Sequence, residues 1–357
     1  MSIFKRKQKG HIGIDFGAGG IKIIQLQPGD GRGNLFTYGF SERTPEEMGV
    51  DYIENPEATA ALLKTICSKA RTTTTSAVAA LPIPTVFSAV LSIAPVPKKE
   101  LAKAVEWEAK KLIPLPLEEV TLDFKELRFP DEETTAKKTF GEKQISVLLT
   151  AAPKSVIDKY VAIAKAAGLT LTSLETEAFA LIRAMVGVDP APVIIVDMGA
   201  VRSNILFVDR GIPMLIRSVE IGGKKCTEAI ASALSIDMNR AEAMKRDLGI
   251  APLPGSAPGQ MPTLLKDVLT PLLNEMKYSF NVYRTRSVIA RPPEKIILSG
   301  GGAGLPGLSE LITSEFNIKS FLGNPWERVN FQDDLIPLLY TFGSRFAVAI
   351  GLALRNA

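Results

Sequence analysis

Two acid-and-glycine stretches carry the chemistry for which this sequence can be read. Asp15-Phe16-Gly17-Ala18 lies in "HIGIDFGAGGIKIIQL" (11–26), and Asp197-Met198-Gly199-Ala200 lies in "VIIVDMGAVRSNILFVDRG" (193–211). The two cores superpose without a gap, and in each a branched apolar run precedes and follows the turn. Small residues let backbone N–H groups come close to a ligand, so such a turn reads as a phosphate cradle. The second apolar run resumes within a few residues, so each stretch reads as a β-hairpin. A dinucleotide fingerprint is thereby excluded, because its glycine turn must open a helix. No GxxxxGK[ST] occurs, and "GGKKCT" (222–227) fails at the residue after Gly-Lys.

Other chemistries find little support. His11 is the only histidine, and Cys67 and Cys226 stand far apart in neither a CxxC nor a zinc spacing. That argues against metal ligation by His or Cys and against Ser–His or Cys–His catalysis. Two cysteines in so long a chain fit a reducing compartment. The 42 Lys and Arg against 38 Asp and Glu leave a formal +4, too mild to argue for nucleic acid. No apolar run is expected to reach the roughly 20 residues of a membrane span. The basic leader "MSIFKRKQKGH" is interrupted by "IGIDFG" before a signal-peptide core can form. The expectation is a cytosolic protein.

The elements that must position the two turns follow from the pattern. The recurring hairpin suggests a duplicated lobe, each copy presenting an acid at a strand end. Between the copies, "KKELAKAVEWEAKKLIPLP" predicts an amphipathic helix with Leu101, Ala104, Val105, Ala109 and Leu112 on one stripe, ended by Pro114 and Pro116. Trp107 falls off that stripe and is expected to pack against another layer. "EEVTLDFKELRF" and "KQISVLLTAAP" predict strands on either side of the polar loop "PDEETTAKKTFGE", and "KSVIDKYVAIAKAAG" predicts a helix closed by Gly168. This makes an α+β insertion over roughly 86–171. Beyond the second hairpin, "KCTEAIASALSIDMNRAEAMKRDLG" reads as helical and "APLPGSAPGQMP" as a loop. "TLLKDVLTPLLNEMKYSFNVYRTR" reads as a long helix, with Pro271 tolerable only near a start or kink. "KIILSGGGAGLPGLSELITSEF" gives strand, glycine turn and helix, and "GSRFAVAIGLALR" a closing apolar helix.

In order, the Asp15 hairpin, "LETEAFALIRAM" (174–185), the Asp197 hairpin and "LSGGGAGLPGL" (298–308) resemble the actin-like ATPase superfamily. The resemblance narrows through "EWEAKKLIPLPLEEVTLDF", "RSVEIGGKKCTEAIA", "LLNEMKYSFNVY" and "FAVAIGLALR" to the PilM family of type IV pilus assembly. It is also similar to the cell-division protein FtsA, which carries an insertion at the same place. FtsA ends in a membrane-binding helix, whereas this sequence closes at "LRNA", which favours the PilM resemblance.

That resemblance implies an α/β, two-lobe actin-like fold of duplicated ribonuclease-H-like domains with an inserted SHS2-like subdomain. The implied first lobe core is 1–85, completed by 172–190 and 337–357, and the insertion is 86–171. The second lobe core is 191–221 with 294–336, and its outer subdomain is 222–293. ATP or ADP with Mg²⁺ is expected between the lobes. Asp15 and Asp197 would hold the metal's water shell, since Mg²⁺ dehydrates reluctantly. Gly17, Ala18, Gly19 and Gly20, and across from them Gly199, Ala200, Ser203 and Asn204, would meet phosphate, with Lys22 balancing charge. Gly222 and Gly223 are assigned to the same site. Gly300, Gly301, Gly302 and Ala303 would give adenosine access to the backbone, and Glu275 would approach ribose and adenine. Glu177 would position water, with Glu175 the alternative; two apart on a helix, they face different ways. Ala18-Gly19-Gly20 stands where the superfamily usually has a Ser or Thr, so ATP binding with weak or no hydrolysis is expected.

The implied partner is the N-terminal cytoplasmic tail of PilN, held in a groove between the first lobe and the insertion. Pilus motor ATPases and other inner-membrane platform proteins are further expected contacts. Membrane attachment would come only through the partner, and a homo-oligomer is allowed. The rival readings are a small-molecule kinase of the same superfamily and an FtsA-like filament-forming, membrane-associated protein.

Overall fold

The computed structural model describes residues 10–29, 32–127, 144–250, 263–286 and 291–356. The strands are β1 (Ile12–Gly17), β2 (Gly20–Gln27), β3 (Gly33–Phe40), β4 (Ser76–Leu81), β5 (Phe87–Ile93), β6 (Val120–Leu127) and β7 (Ile145–Pro153). They continue as β8 (Thr170–Thr176), β9 (Val193–Met198), β10 (Ser203–Asp209), β11 (Ile212–Val219), β12 (Lys295–Ser299), β13 (Ser320–Leu322) and β14 (Val329–Asn330). The chain forms two compact units, one of residues 82–160 and one of 1–81 with 161–357.

The larger unit holds two sheets, ordered β14-β3-β2-β1-β4-β8 and β11-β10-β9-β12-β13. Without β14 the two orders are the same. Each copy is an antiparallel three-stranded meander whose first strand then pairs in parallel with a later one, β1 with β4 and β9 with β12. The central strands are apolar almost continuously and buried along their length, as strands covered on both faces must be. Ile24, Leu26, Trp326, Phe346 and Ile350 belong to the core of the first copy, and Phe207, Leu269, Leu272, Leu298 and Ile312 to that of the second. Ala347–Ala353 is buried at every residue and lies against β1 and the Glu177–Met185 helix. His11 Nε2 and the Leu352 carbonyl meet at 2.9 Å, pinning the start of β1 to the end of the chain.

The smaller unit is a three-stranded antiparallel sheet, β5-β7-β6, with the Leu101–Leu112 helix packed on one face. Leu101, Val105 and Ala109 form its inward stripe. Leu112 does not complete that stripe: it is 47% exposed, because Ile113 fills the inward place one residue on. Trp107 is 66% exposed, opposite the buried stripe, and among the described residues it meets no second layer. The unit opens before residue 86 and ends inside the Lys154–Ala166 helix, earlier than 171. That helix is closed at Gly168, whose φ is +79°.

Two sequence expectations change, while the long helix read at 263–286 is present. The stretch 226–249 is two helices, Gly223–Leu234 and Met238–Leu248. Ser235 turns left-handed at φ 51°, and the Asp237 side chain accepts from the Arg240 N–H to start the second helix. Thr263–Arg286 runs through Pro271 as one helix. The stretch Asp333–Ala353, 21 residues, has the length and composition of a membrane span. It is broken at Gly343, and its last helix is core. The loops read at 130–142 and 251–262 lie outside the described residues.

Candidate functional site

Hairpin register places the first acid. Asp15 on β1 stands opposite Lys22 on β2, so both side chains leave the same face of the sheet. Lys22 Nζ donates to Asp15 Oδ2 at 3.3 Å and to the Gly20 carbonyl at 3.2 Å. Ala18 and Gly19 form the tip, closed by the Gly17–Gly20 pair. Arg43 supports that tip from behind, donating to the Ala18 carbonyl at 3.4 Å and to the Val50 carbonyl. Its guanidinium sits 3.8 Å over the Tyr52 ring.

The second acid is placed by the equivalent register. Asp197 on β9 stands opposite Asn204 on β10 and beside Ser299 on parallel β12. The turn after it is braced internally. Gly199 N–H donates to the Arg202 carbonyl at 2.8 Å, and Gly223 N–H and Lys224 N–H reach back to Gly199 and Ala200 carbonyls at 3.0 and 2.8 Å. The buried Ser203 hydroxyl donates to the Ile221 carbonyl at 2.6 Å. Gly199 and Gly223 therefore spend their N–H groups, and Ser203 its hydroxyl, on the scaffold.

After β12 the chain must turn beside Asp197. Gly300 does so at φ +85°, where an added Cβ would lie 2.4 Å from the Met198 carbonyl and 3.0 Å from Asp197 Oδ1. Only glycine fits there. The two hairpin tips meet across a cleft, since a Cβ on Gly19 would lie 3.4 Å from that of Ala200. The cleft measures about 310 Å³ and is lined by Asp15, Gly17, Ala18, Gly19 and Lys22 on one side. From the other side come Asp197, Gly199, Ala200, Asn204, Gly223 and the Gly300–Gly302 run. Gly20, Ser203, Gly222 and Ala303 stand behind this lining rather than in it.

Two of the acids singled out in the sequence lie elsewhere. Glu275 points to β11, where Arg217 approaches at 3.7 Å and Ser279 donates to it at 3.3 Å. Glu175 takes a two-pronged ion pair from Arg183, at 2.7 and 3.0 Å, away from the cleft. Glu177, by contrast, opens its helix as a buried side chain and lines the cleft. Arg202 Nη2 donates to its two oxygens at 3.2 and 3.5 Å, and Asn204 Nδ2 approaches at 3.5 Å.

The rim carries groups that sequence reading missed. Glu242, Lys245 and Arg246 come from one face of Met238–Leu248, and Arg345 comes from the turn before the last helix. Lys245 Nζ donates to Glu242 Oε2 at 2.5 Å, to Thr227 Oγ1 at 3.0 Å and to the Gly223 carbonyl at 3.1 Å. The E-x-x-K-R spacing was the available signal: residues three and four apart share a helix face.

Charge decides what the cleft can hold. Burial pushes the Asp197 carboxyl up, and the negative charge of Asp15 across the cleft pushes it further, against the pull of Arg202 and Lys22. Two facing carboxylates in a half-closed site favour a cation between them. Among the described residues, no group of three or more His, Cys, Asp and Glu side chains is placed to hold a metal ion. A hard divalent ion completed by waters and by a ligand's own oxygens fits two carboxylates beside small-residue turns. A polyphosphate fits the backbone of the same turns, and the Glu242–Lys245–Arg246 face offers an acceptor and donors for hydroxyl groups. The residues present thus suit a magnesium nucleotide, with Asp15 and Asp197 for the metal shell and the Gly300–Gly302 run for a flat base.

Comparison with known proteins converges on one family. The model of type IV pilus assembly protein PilM matches residues 13–357. A solved PilM–PilN type IV pilus biogenesis complex is 28% identical, with a TM-score of 0.79 over 97% of this chain and 98% of that one. Ethanolamine utilization protein EutJ from Carboxydothermus hydrogenoformans shares the fold at 14% identity and a TM-score of 0.54, covering 96% and 89% of the two chains. MreB5 of Spiroplasma citri, solved bound to ADP, does so at 14% and 0.51, covering 97% and 95%. On a duplicated, two-lobed actin-like ATPase fold, and with the family matched along nearly its whole length, this chain belongs to the PilM family of type IV pilus assembly proteins.

Proposed function

We propose that the chain is an ATP-holding scaffold of the type IV pilus assembly platform that captures the N-terminal cytoplasmic tail of a PilN protein. Pilus assembly follows from the family, and the PilN partner from the similarity to a PilM solved with PilN. The observation that supports nucleotide is the meeting of the two hairpin tips, Asp15 facing Asp197 over a cleft rimmed by Glu242, Lys245 and Arg246. ATP with Mg²⁺ would supply a bridge between the lobes, contacted from both at once. Asp15 and Asp197 orient the metal's waters, and Lys22 offsets phosphate charge. Glu242 would accept from ribose hydroxyls, and Arg246 and Arg345 would be the cations nearest the base. Hydrolysis is slow or absent, because the first tip carries no hydroxyl and Glu177 is already engaged. The protein works at the cytoplasmic face of the membrane through its partner.

Purified protein is denatured and the released nucleotide separated by chromatography; close to one equivalent of ATP is expected. A synthetic PilN tail is then titrated into protein with Mg·ATP and into the Asp15→Asn variant. Binding should weaken at least about tenfold in the variant, the range of ordinary coupling between sites. Equal binding by nucleotide-free and loaded protein would remove the coupling of ATP to capture.

A further inference from the structure

Glu177 and Arg202 belong to different halves of the larger unit. Glu177 opens the helix that follows β8 of the six-stranded sheet, whereas Arg202 lies on the turn between β9 and β10 of the five-stranded one. Their ion pair therefore spans the cleft. The carboxylate is only 10% exposed and the guanidinium 29%, so the contact is buried on the Glu177 side and half-buried on the Arg202 side. Arg202 Nη2 engages both carboxylate oxygens, at 3.2 and 3.5 Å. Asn204 adds its amide at 3.5 Å, and its orientation is fixed from the far side, where Ser218 Oγ donates to Asn204 Oδ1 at 2.9 Å. The sequence places this arginine five residues after Asp197, within the very turn that faces the ligand space.

A carboxylate that orients or deprotonates a water needs an oxygen lone pair directed at that water and enough basicity to draw its proton. Charge-assisted bonds from guanidinium and amide engage those lone pairs and turn them away from a water. An arginine aimed instead at developing charge on a transferred phosphoryl group would accelerate cleavage. The two roles predict opposite signs when the arginine is removed.

We propose that Arg202 is a positioning residue that ties Glu177 across the cleft and withholds its carboxylate from water, so that this site stores a triphosphate instead of cleaving it. This rests on the reading that the cleft holds ATP. Release of Arg202 is the event that would turn a holder into a hydrolase.

Two measurements test it. In nucleotide-free protein, the unfolding midpoints of Glu177→Gln, Arg202→Gln and the double variant form a thermodynamic cycle. The tie predicts strong non-additivity, with the double variant no less stable than the weaker single; additive shifts would overturn it. In protein loaded with Mg·ATP, one round of ADP formation is followed by rapid quenching. Arg202→Gln should form ADP at least about tenfold faster than the parent, and adding Glu177→Gln should return the rate to the slow level. Arg202→Met, closer in shape, serves if the glutamine variant folds poorly. A rate unchanged or lowered by loss of Arg202, with ATP still retained, overturns the brake and leaves the ATP-holding reading intact. Failure of every protein, the parent included, to retain Mg·ATP removes that reading and the storage role with it.

Discussion

Glu242 shows how a single half-buried acid can organise the rim of the cleft. Its carboxylate accepts from Lys245 Nζ at 2.5 Å, Thr227 Oγ1 at 2.6 Å and Arg246 Nε at 2.9 Å. Burial pushes its carboxyl up, but the bonds from Lys245 and Thr227 outweigh burial and hold it below the usual carboxylate range. The unfolded chain takes up the proton at higher pH than the native state does. The stabilisation is therefore complete above the unfolded value of about 4.3 and is lost as pH falls through the lower native one. Glu242→Gln should cost about 1.5 to 3 kcal/mol at pH 7, the worth of hydrogen bonds to a charged group. The gap between variant and parent should close in acid as the parent's advantage disappears. Urea unfolding at pH 7 and near pH 3 checks this; a gap that stays constant would mean that the charge of Glu242 contributes nothing.

At the level of elements, the strand-to-turn junction after β12 decides whether the base end of the cleft exists. Gly300→Ala puts a Cβ 2.4 Å from the Met198 carbonyl at φ +85°, so both the turn and the acid strand must shift. A loss of about 1 to 3 kcal/mol is expected, together with poorer nucleotide retention. Gly304→Ala is the control for stability: a Cβ there meets nothing within 4 Å, and the change should leave the unfolding temperature alone. Thermal unfolding and the amount of co-purifying nucleotide give the comparison. Elements of this kind were legible in the sequence because hairpin period, acid position and glycine turn are all local signals. The Asp15 and Asp197 hairpins and the Gly300 turn are in this class. Glu275 misled because position along a family pattern does not fix which side of a 24-residue helix faces the cleft. The Glu242–Lys245–Arg246 face stayed hidden because the break at Ser235 sets the direction of that helix. No alternation or period marks that left-handed residue. Trp107 misled for a simpler reason, since apolar size alone does not say which side of a helix has a neighbour.

For the molecule as a whole, the first half of the larger unit is made from both ends of the sequence. β1 and β2 open it, and the Ala347–Ala353 helix closes it by packing between β1 and the Glu177–Met185 helix. Trp326 and Phe346 join the same core, with ring centres 5.7 Å apart. The helix that carries Glu177 is thus held from behind by the Ala347–Ala353 helix, and the geometry in the cleft depends on packing far along the sequence. Gly351 is where that packing is tightest: a Cβ added there would lie 1.9 Å from the Ala180 carbonyl and 2.8 Å from the Ala180 Cα. Both obstacles are backbone, so no side-chain rotation can relieve the contact, and the two helices must move apart. Gly351→Ala should therefore lose about 3 kcal/mol, at the upper end for overpacking. Because Ala180 lies one turn beyond Glu177, the shift should also loosen the Arg202–Glu177 pair and reduce nucleotide retention. Urea unfolding read alongside bound nucleotide distinguishes the two effects. A variant as stable as the parent would show that the terminal helix is free to slide, and the link between chain end and cleft would then fail.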